Sequence, residues 1–328
     1  MDTVIDTVIC GYATDVGRMR DHNEDNFCVN SELGLWLVAD GMGGHDCGEV
    51  ASAIAVENIP KLLQSGTSLV EAISQTHNEI LDSAARGVGG AGMGTTVVAA
   101  RMIDNDYEVA WVGDSRGYLW DGRLLQLTHD HSVVQEMIDV GMLSHEEAKF
   151  HQDRNIVTQA LGAVALDSIK VGLVQGHLAE GQKLLLCSDG LTGEVDDQTI
   201  ADILSAAESE QAAAEQLITE ANQNGGSDNI TVVLLSSGLS EHDTREPVVT
   251  QEITNIVAIN PQTDPVHPTA KSRNIIISVV SIVLIALFVS YLFFVPTVDR
   301  SAAVSQQPDK GSLVQNHGKT VIKSEQGP

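Results

Sequence analysis

Short apolar runs alternate with polar turn residues through the N-terminal part of the chain, and they give the first indication of its fold. All but the run 182–189 contain β-branched residues, and the runs are flanked by turn residues such as Gly, Asp, Asn and Ser, which is typical of strands rather than helices. The predicted strands cover residues 33–40, 95–102, 108–114, 182–189 and 229–237. Much of this region is therefore expected to form β-sheet.

Between these runs, apolar residues recur with the spacing of an amphipathic helix. The predicted helices cover residues 48–64, 68–86, 132–140 and 210–222. They come in blocks rather than one after each strand, which favours antiparallel sheets with outer helices over a doubly wound parallel sheet. We therefore predict an α+β domain over residues 5–238.

The stretch 275–295 is apolar and contains no charged residue. A helix of this length spans about 30 Å, which is the thickness of the hydrocarbon core of a bilayer. A soluble helix of that length would keep a polar stripe, so the stretch predicts one transmembrane helix. Lys271 and Arg273 precede it and Asp299 follows it, which favours a cytoplasmic location for the preceding domain.

Two polar segments flank this apolar stretch. Residues 239–274 contain several prolines among polar residues and are expected to tether the domain to the membrane. Residues 296–328 are rich in Ser, Gln, Lys and Gly without a hydrophobic period, which predicts a disordered tail outside the cytoplasm.

Charge and cysteine content exclude two classes of function. The formal net charge of −27 argues against a nucleic-acid partner, because phosphate backbones are bound by clustered Lys and Arg. None of the four cysteines has an Arg six positions later, so the thiolate-plus-arginine loop of cysteine phosphatases is absent. There is no CxxC pair, and the cysteines are expected to be reduced and unpaired.

Four aspartates share one setting, at the end or start of a predicted strand beside Gly, Ser or Asn: Asp40, Asp114, Asp189 and Asp228. Taken alone, each is adequately explained as a turn residue. If the strand ends converge, however, several carboxylates crowd one cleft, and such like charges cannot all stay ionised without a cation. The pattern thus favours a hard divalent metal.

Oxygen ligands suit Mg²⁺ or Mn²⁺ rather than zinc, which prefers nitrogen and sulfur. Two such ions can lower the pKa of a water and clamp a phosphoryl group for in-line attack. Glu24 and Asp25 add two further carboxylates near the N-terminus, and Arg20 offers a fork for phosphate oxygens. The expected chemistry is hydrolysis of a phosphate ester.

Six motifs occur in a fixed order along the chain. They are R-x-x-N-E-D, V-A-D-G-M-G-G-H, G-M-G-T-T, V-G-D-S-R-G-Y, L-C-S-D-G-L and S-D-N-I-T-V-V, and they span Arg20 to Val233. The ordered set resembles the PP2C (PPM) serine/threonine phosphatases, particularly their bacterial branch. The resemblance implies a four-layer α-β-β-α sandwich, with two antiparallel sheets flanked by helices and a metal cleft at one edge.

Carried over by position, the resemblance implies a role for each carboxylate. Asp40 would bridge two Mn²⁺ or Mg²⁺ ions and the carbonyl of Gly41 would bind one of them. Asp189 and Asp228 would complete the first metal site.

The remaining matched residues extend this site. Glu24 and Asp25 would act on the second metal, mostly through water, and Asp114 with Asp189 matches the third metal site of the bacterial enzymes. Arg20 would hold the substrate phosphate.

The general acid is the one role that the motifs leave open. Animal members place a histidine directly after the metal-binding Asp-Gly, whereas this chain has Met42 there. His45 lies nearby in the sequence and is one candidate, and a metal-bound water is the other.

The resemblance implies that the chain hydrolyses phosphoserine and phosphothreonine on proteins. Together with the apolar stretch, it predicts a single-pass protein of the bacterial inner membrane whose catalytic domain faces the cytoplasm. A membrane Ser/Thr kinase and its substrates are the expected partners, by analogy. The alternative is a catalytically silent relative that binds phosphoproteins or metal as a scaffold.

Overall fold

The computed structural model describes residues 8–43, 47–163 and 169–237. His45, the predicted linker 239–274, the predicted membrane helix 275–295 and the predicted tail 296–328 lie outside these residues. Within the described ranges, no helix combines the length and the hydrophobicity that crossing a bilayer requires.

Twelve strands and seven helices make up the described part of the chain. The strands are β1 (Val8–Asp15), β2 (Asn26–Asn30), β3 (Leu35–Ala39), β4 (Gly41–Met42), β5 (Gly94–Thr95), β6 (Val97–Ile103), β7 (Asp106–Val112), β8 (Arg116–Trp120), β9 (Leu124–Gln126), β10 (Gly172–His177), β11 (Lys183–Cys187) and β12 (Ile230–Ser237). The helices are α1 (Cys47–Gln64), α2 (Leu69–Ala85), α3 (Val133–Asp139), α4 (His145–Ala148), α5 (Asp189–Thr192), α6 (Asp197–Ala206) and α7 (Glu210–Asn224).

The strands form two five-stranded sheets and one short ladder. One sheet has the order β1-β12-β11-β8-β9, the other has the order β10-β7-β6-β3-β2, and β4 pairs with β5. Every strand pairing is antiparallel. The predicted antiparallel architecture is therefore confirmed.

Successive side chains point to opposite faces of each sheet, and this divides the hydrophobic core into three layers. In β3, Leu35 and Leu37 pack with α1 and α2, whereas Trp36 and Val38 belong to a cluster that joins the two sheets. In β12 of the other sheet, every second side chain packs with α6 and α7. The side chains between them point to the opposite face and belong to the same inter-sheet cluster. Because both faces of each sheet are covered, the central strands are continuously apolar. The result is the predicted α-β-β-α order of layers.

The five predicted strands and four predicted helices are all present, with shifted ends. The largest local difference concerns the run 182–189, which was expected to be a strand up to Asp189. The strand ends at Cys187 because Ser188 takes the N-cap position of α5, so that Asp189 lies in the first turn of a short helix. A carboxylate is favoured there by the partial positive charge of the helix N-terminus.

No disulfide links the four cysteines, all of which lie within the described ranges. Cys187 is completely buried in the cluster beneath α6 and α7, and burial raises the pKa of its thiol to about 12. It is therefore a packing residue at neutral pH and not a nucleophile.

Candidate metal centre and active site

A cleft of about 450 Å³ opens at one edge of the two sheets. Asp40, Asp114 and Asp189 follow the C-terminal ends of β3, β7 and β11, and Asp228 precedes the start of β12. Antiparallel pairing brings these ends to the same edge. The residues that line the cleft are Arg20, Glu24, Asp40, Gly41, Met42, Gly43, Thr96, Asp114, Asn155, Ile156, Val157, Asp189, Asp228 and Asn229. Of the predicted site residues, all but Asp25 and His45 thus border one cavity.

The main chain of Asp40 is held by two threonines of the G-M-G-T-T motif. The Asp40 N–H donates to Thr96 Oγ1 at 3.2 Å, and the Asp40 carbonyl accepts from the Thr96 N–H at 2.8 Å and from Thr95 Oγ1 at 2.9 Å. The Thr96 and Ser115 hydroxyls share a further hydrogen bond of 2.7 Å. Because these contacts use only the backbone of Asp40, they orient its carboxylate without consuming it.

Asp25 lies beneath the cleft and carries an unsatisfied oxygen. Its side chain accepts from Ser188 Oγ at 2.7 Å through Oδ2, while Oδ1 is buried and has no hydrogen-bond partner. Burial, opposed by hydrogen bonds from Ser188 and Thr231 and reinforced by nearby aspartates, raises the pKa of Asp25 to about 7. A buried carboxylate oxygen without a donor is costly unless a cation or a proton meets it.

Three more carboxylates in the cleft are buried close to one another, which disfavours their ionised forms. Burial raises the pKa of Asp40 well above its usual range, and repulsion from Asp25, Asp189 and Asp114 adds to this. Burial raises the pKa of Asp114 and of Asp189 as well, with Asp189 repelling Asp114 and Asp228 repelling Asp189. Such a group of acids binds protons or cations in preference to standing fully ionised.

The donor set fits hard divalent cations in an open site. Among the described residues, no three His, Cys, Asp or Glu side chains are placed so that together they could hold one metal ion. Mg²⁺ and similar ions do not need three protein side chains, because they keep several waters and are held by one or two carboxylates each. The cleft offers carboxylates and the Gly41 carbonyl, without sulfur or imidazole among its described lining residues apart from the Met42 thioether. These ligands favour Mg²⁺ or Mn²⁺ over zinc.

Arg20 stands at the mouth of the same cleft. Its Nη2 donates to Asp228 Oδ2 at 2.7 Å, and its side chain is 51% exposed. Partial burial is the largest single effect and opposes the positive charge, but the attraction of Asp228, its hydrogen bond and the charges of Asp40 and Glu24 together raise the pKa of Arg20. The other Asp228 oxygen accepts from the Asn229 N–H at 2.8 Å. A charged guanidinium with solvent access can therefore meet a phosphate that enters the cleft.

The turn that carries Asp114 is held by the segment 128–132, whose role the sequence analysis did not predict. Gly113 has a φ of +108°, and its N–H donates to His131 Nδ1 at 3.1 Å. Burial, with repulsion from His129, lowers the pKa of His131 to about 4, so the ring is neutral at neutral pH and Nδ1 can accept. Arg116 binds Asp130 through Nε and Nη2 at 2.9 and 2.7 Å. The sequence T-H-D-H-S was the available signal for this support.

The general acid is not assigned by the described residues. Met42 borders the cleft, and His45 lies outside the described residues, so its role stays a prediction. Burial raises the pKa of Asp40, Asp114 and Asp189, but these are the residues to which the family resemblance gives metal-binding roles. His45 and a water are therefore the candidates for the proton donor.

Comparison with known proteins agrees with this geometry. The sequence profile described as protein phosphatase 2C matches residues 18–224. The chain is 39% identical over 244 residues to the serine/threonine phosphatase Stp of Listeria monocytogenes, which covers 70% of this chain and 96% of that protein.

Solved structures give the same result. The crystal structure of the Mycobacterium tuberculosis serine/threonine phosphatase PstP/Ppp has a TM-score of 0.64 and 34% identity, covering 70% of this chain and 99% of that one. The catalytic domain of PstP in complex with two manganese ions has a TM-score of 0.61 at 34% identity and the same coverage. On the length of these matches and the identity they reach, the chain belongs to the protein phosphatase 2C family.

Proposed function

We propose that the chain is a metal-dependent protein phosphatase that hydrolyses phosphoserine and phosphothreonine on proteins, in the cleft lined by Arg20 and the clustered aspartates. The observation that carries this is the convergence of Asp40, Asp114, Asp189 and Asp228 with one arginine in a single cavity. Relatives that bear the name serine/threonine phosphatase at 39% and 34% identity support the substrate class.

The metal-holding roles follow from chemistry and position. Asp40 would be shared by two Mn²⁺ or Mg²⁺ ions and the Gly41 carbonyl would bind one of them, while Asp189 and Asp228 would complete the first metal site. Glu24 and Asp25 would serve the second ion, and Asp114 with Asp189 a third. When bound, such ions supply positive charge that acidifies water and neutralises phosphoryl oxygens.

The chain's own residues then position the ester. Arg20 presents planar N–H donors to two oxygens of the phosphate, which orients the phosphorus toward the interior of the cleft. Thr95 and Thr96 hold the backbone at Asp40 so that its carboxylate does not have to reorganise. The leaving serine or threonine oxygen needs a proton, for which a water and His45 are the candidates.

Metal dependence tests this assignment. We expect the full chain to hydrolyse a phosphothreonine peptide with Mn²⁺ present and to lose at least 99% of that rate, on the order of 10²-fold, with excess EDTA. Adding Mn²⁺ back should restore the rate, and circular dichroism should show that the chain stays folded throughout. Turnover that is unaffected by the chelator would contradict the proposed mechanism.

The silent-scaffold alternative makes the opposite prediction for the same experiment. Such a protein would bind Mn²⁺ saturably and release no phosphate from any phosphopeptide. Every carboxylate expected from the family motifs is present here, and the relatives are phosphatases by name, so the catalytic function is favoured.

Membrane attachment and a kinase partner are further parts of the proposal. The uncharged apolar stretch 275–295 supports a single span with the catalytic domain in the cytoplasm of a bacterium. A membrane Ser/Thr kinase and its substrates would then lie at the same bilayer.

Two arginines placed in the predicted membrane span test both the membrane attachment and the kinase partner. We expect the wild-type chain in the membrane fraction and the double variant Leu284→Arg, Leu287→Arg in the soluble fraction, because charges at the bilayer centre are costly. Phosphothreonine on the membrane kinase should rise in cells carrying the variant. An unchanged distribution of the chain would contradict the span, and unchanged kinase phosphorylation would contradict the partner.

A further inference from the structure

We propose that Asn229 is the positioning residue for Arg20: its side-chain amide fixes the loop of residues 16–24 against the start of β12, so that Arg20 faces the phosphate-binding side of the cleft. The inference rests on the proposed function for the identity of the phosphate ester. It adds a residue whose side chain acts on substrate through another residue and not by contact.

The Asn229 amide makes three hydrogen bonds, through both of its N–H donors and its carbonyl oxygen. Nδ2 donates to the Val16 carbonyl at 2.9 Å and to the His22 carbonyl at 2.9 Å, while Oδ1 accepts from the Glu24 N–H at 2.9 Å. The residue is 6% exposed. Since two partners are carbonyls and one is an N–H group, only one orientation of the amide satisfies them all.

These three hydrogen bonds hold the chain on both sides of Arg20. Val16 precedes Arg20, His22 and Glu24 follow it, and all three are tied to one side chain from a strand more than 200 positions away. The Asn229 N–H also donates to Asp228, whose other oxygen receives Arg20. One residue thus connects the arginine loop with the carboxylate that Arg20 contacts.

Backbone hydrogen bonds also hold the segment just before Arg20, whereas the contacts of His22 and Glu24 with Asn229 hold the segment after it. The Arg18 and Met19 N–H groups donate to the Gly226 carbonyl at 2.7 and 3.2 Å. The Gly17 N–H donates to Asp15 Oδ1 at 2.8 Å. The Arg20 side chain itself is half exposed, so its direction depends on where the backbone on either side is held.

No other residue type can replace the amide fully. Aspartate keeps the shape and the acceptor for the Glu24 N–H but cannot donate to the Val16 and His22 carbonyls. Alanine removes all three part-buried hydrogen bonds and adds no charge to the cleft, whereas aspartate adds one. Alanine should therefore weaken phosphate binding through the loop while leaving the carboxylates of the cleft in place.

A double-mutant cycle with Arg20 tests the inference. With a phosphothreonine peptide and Mn²⁺, we expect Asn229→Ala to raise KM about tenfold, with a smaller change in kcat. In the Arg20→Ala background, the same substitution should change KM by less than about twofold, because the group that Asn229 positions is gone. A purely structural role would give the same change in both backgrounds.

A binding measurement and a control variant accompany the cycle. Binding of inorganic phosphate to the Mn²⁺-loaded full chain, followed calorimetrically, should weaken about tenfold in Asn229→Ala and should be insensitive to that change in the Arg20→Ala background. Asn58→Ala is the matched control, since this half-buried amide donates to Thr76 Oγ1 at 3.1 Å between α1 and α2. It should leave KM and phosphate affinity unchanged.

The outcomes separate this inference from the proposed function. Unchanged phosphate affinity in Asn229→Ala, or an equal loss with and without Arg20, overturns the positioning role even if the wild-type chain is an active phosphatase. Absence of turnover in the wild type would instead refute the proposed function, while the phosphate titrations would still decide the role of Asn229.

Discussion

Replacing Asp40 by Asn should reduce kcat on a phosphothreonine peptide by on the order of 10³-fold, the largest effect that we expect from any single substitution. Asn keeps the size of the side chain, and the backbone contacts with Thr95 and Thr96 do not involve the carboxylate. What is lost is the negative charge at the residue proposed to be shared by two cations. The measurement is steady-state turnover at saturating Mn²⁺ and peptide.

Stability measurements separate this loss from unfolding. Because burial and neighbouring acids raise the pKa of Asp40, its charge does not stabilise the metal-free chain, and the variant should unfold at or above the temperature of the wild type under EDTA. Asp106→Asn is the matched control, since this carboxylate lies on β7 with a side chain that is 79% exposed. Retention of more than about a tenth of the wild-type kcat by Asp40→Asn would be inconsistent with the proposed metal centre.

Replacing Arg20, whose guanidinium is proposed to bind the phosphate, should weaken substrate binding. We expect Arg20→Ala to lower kcat/KM by about 100-fold, mainly through KM, because charge-assisted hydrogen bonds to the phosphate are made in the bound substrate as well as in the transition state. Arg20→Lys should recover only part of this loss, since an ammonium group keeps the charge but not the planar pair of donors. Initial rates over a range of peptide concentrations provide the measurement.

A surface arginine provides the comparison. Arg86 at the end of α2 is paired with Glu79 at 2.7 Å and lies outside the cleft, so Arg86→Ala should leave KM unchanged. If Arg20 served only as the ion-pair partner of Asp228, its removal would alter Mn²⁺ binding and spare KM. That pattern would contradict its assignment to the substrate phosphate.

The sequence predicted the central strands well because their composition alone identifies them. β3 and β12 are buried on both faces and read as continuous apolar runs. β1 was missed because it lies at a sheet edge, where seven of its eight residues are exposed or partly exposed, and because Gly11 interrupts its apolar run. β8 was missed because it begins with Arg116, whose burial depends on its pairing with Asp130 fourteen positions later.

The acidic residues of the site were also predictable, since like charges at strand ends conflict unless a cation joins them. Their supporting residues were not. Thr96 and Asn229 stand inside recognised motifs, yet their roles depend on hydrogen bonds to Asp40, Val16, His22 and Glu24 that span 56 to 213 positions. Such contacts become visible only when the two sheets are assembled.

Mn²⁺ binding by the full chain, measured by calorimetric titration of the wild type and of Asp40→Asn, tests most directly whether separated acidic side chains share divalent ions in this cleft. The proposed centre predicts that the wild type binds at least two ions, in line with the two manganese ions of the PstP complex, and that the variant loses at least one of them. Equal binding by both proteins, or no binding by the wild type, would contradict it.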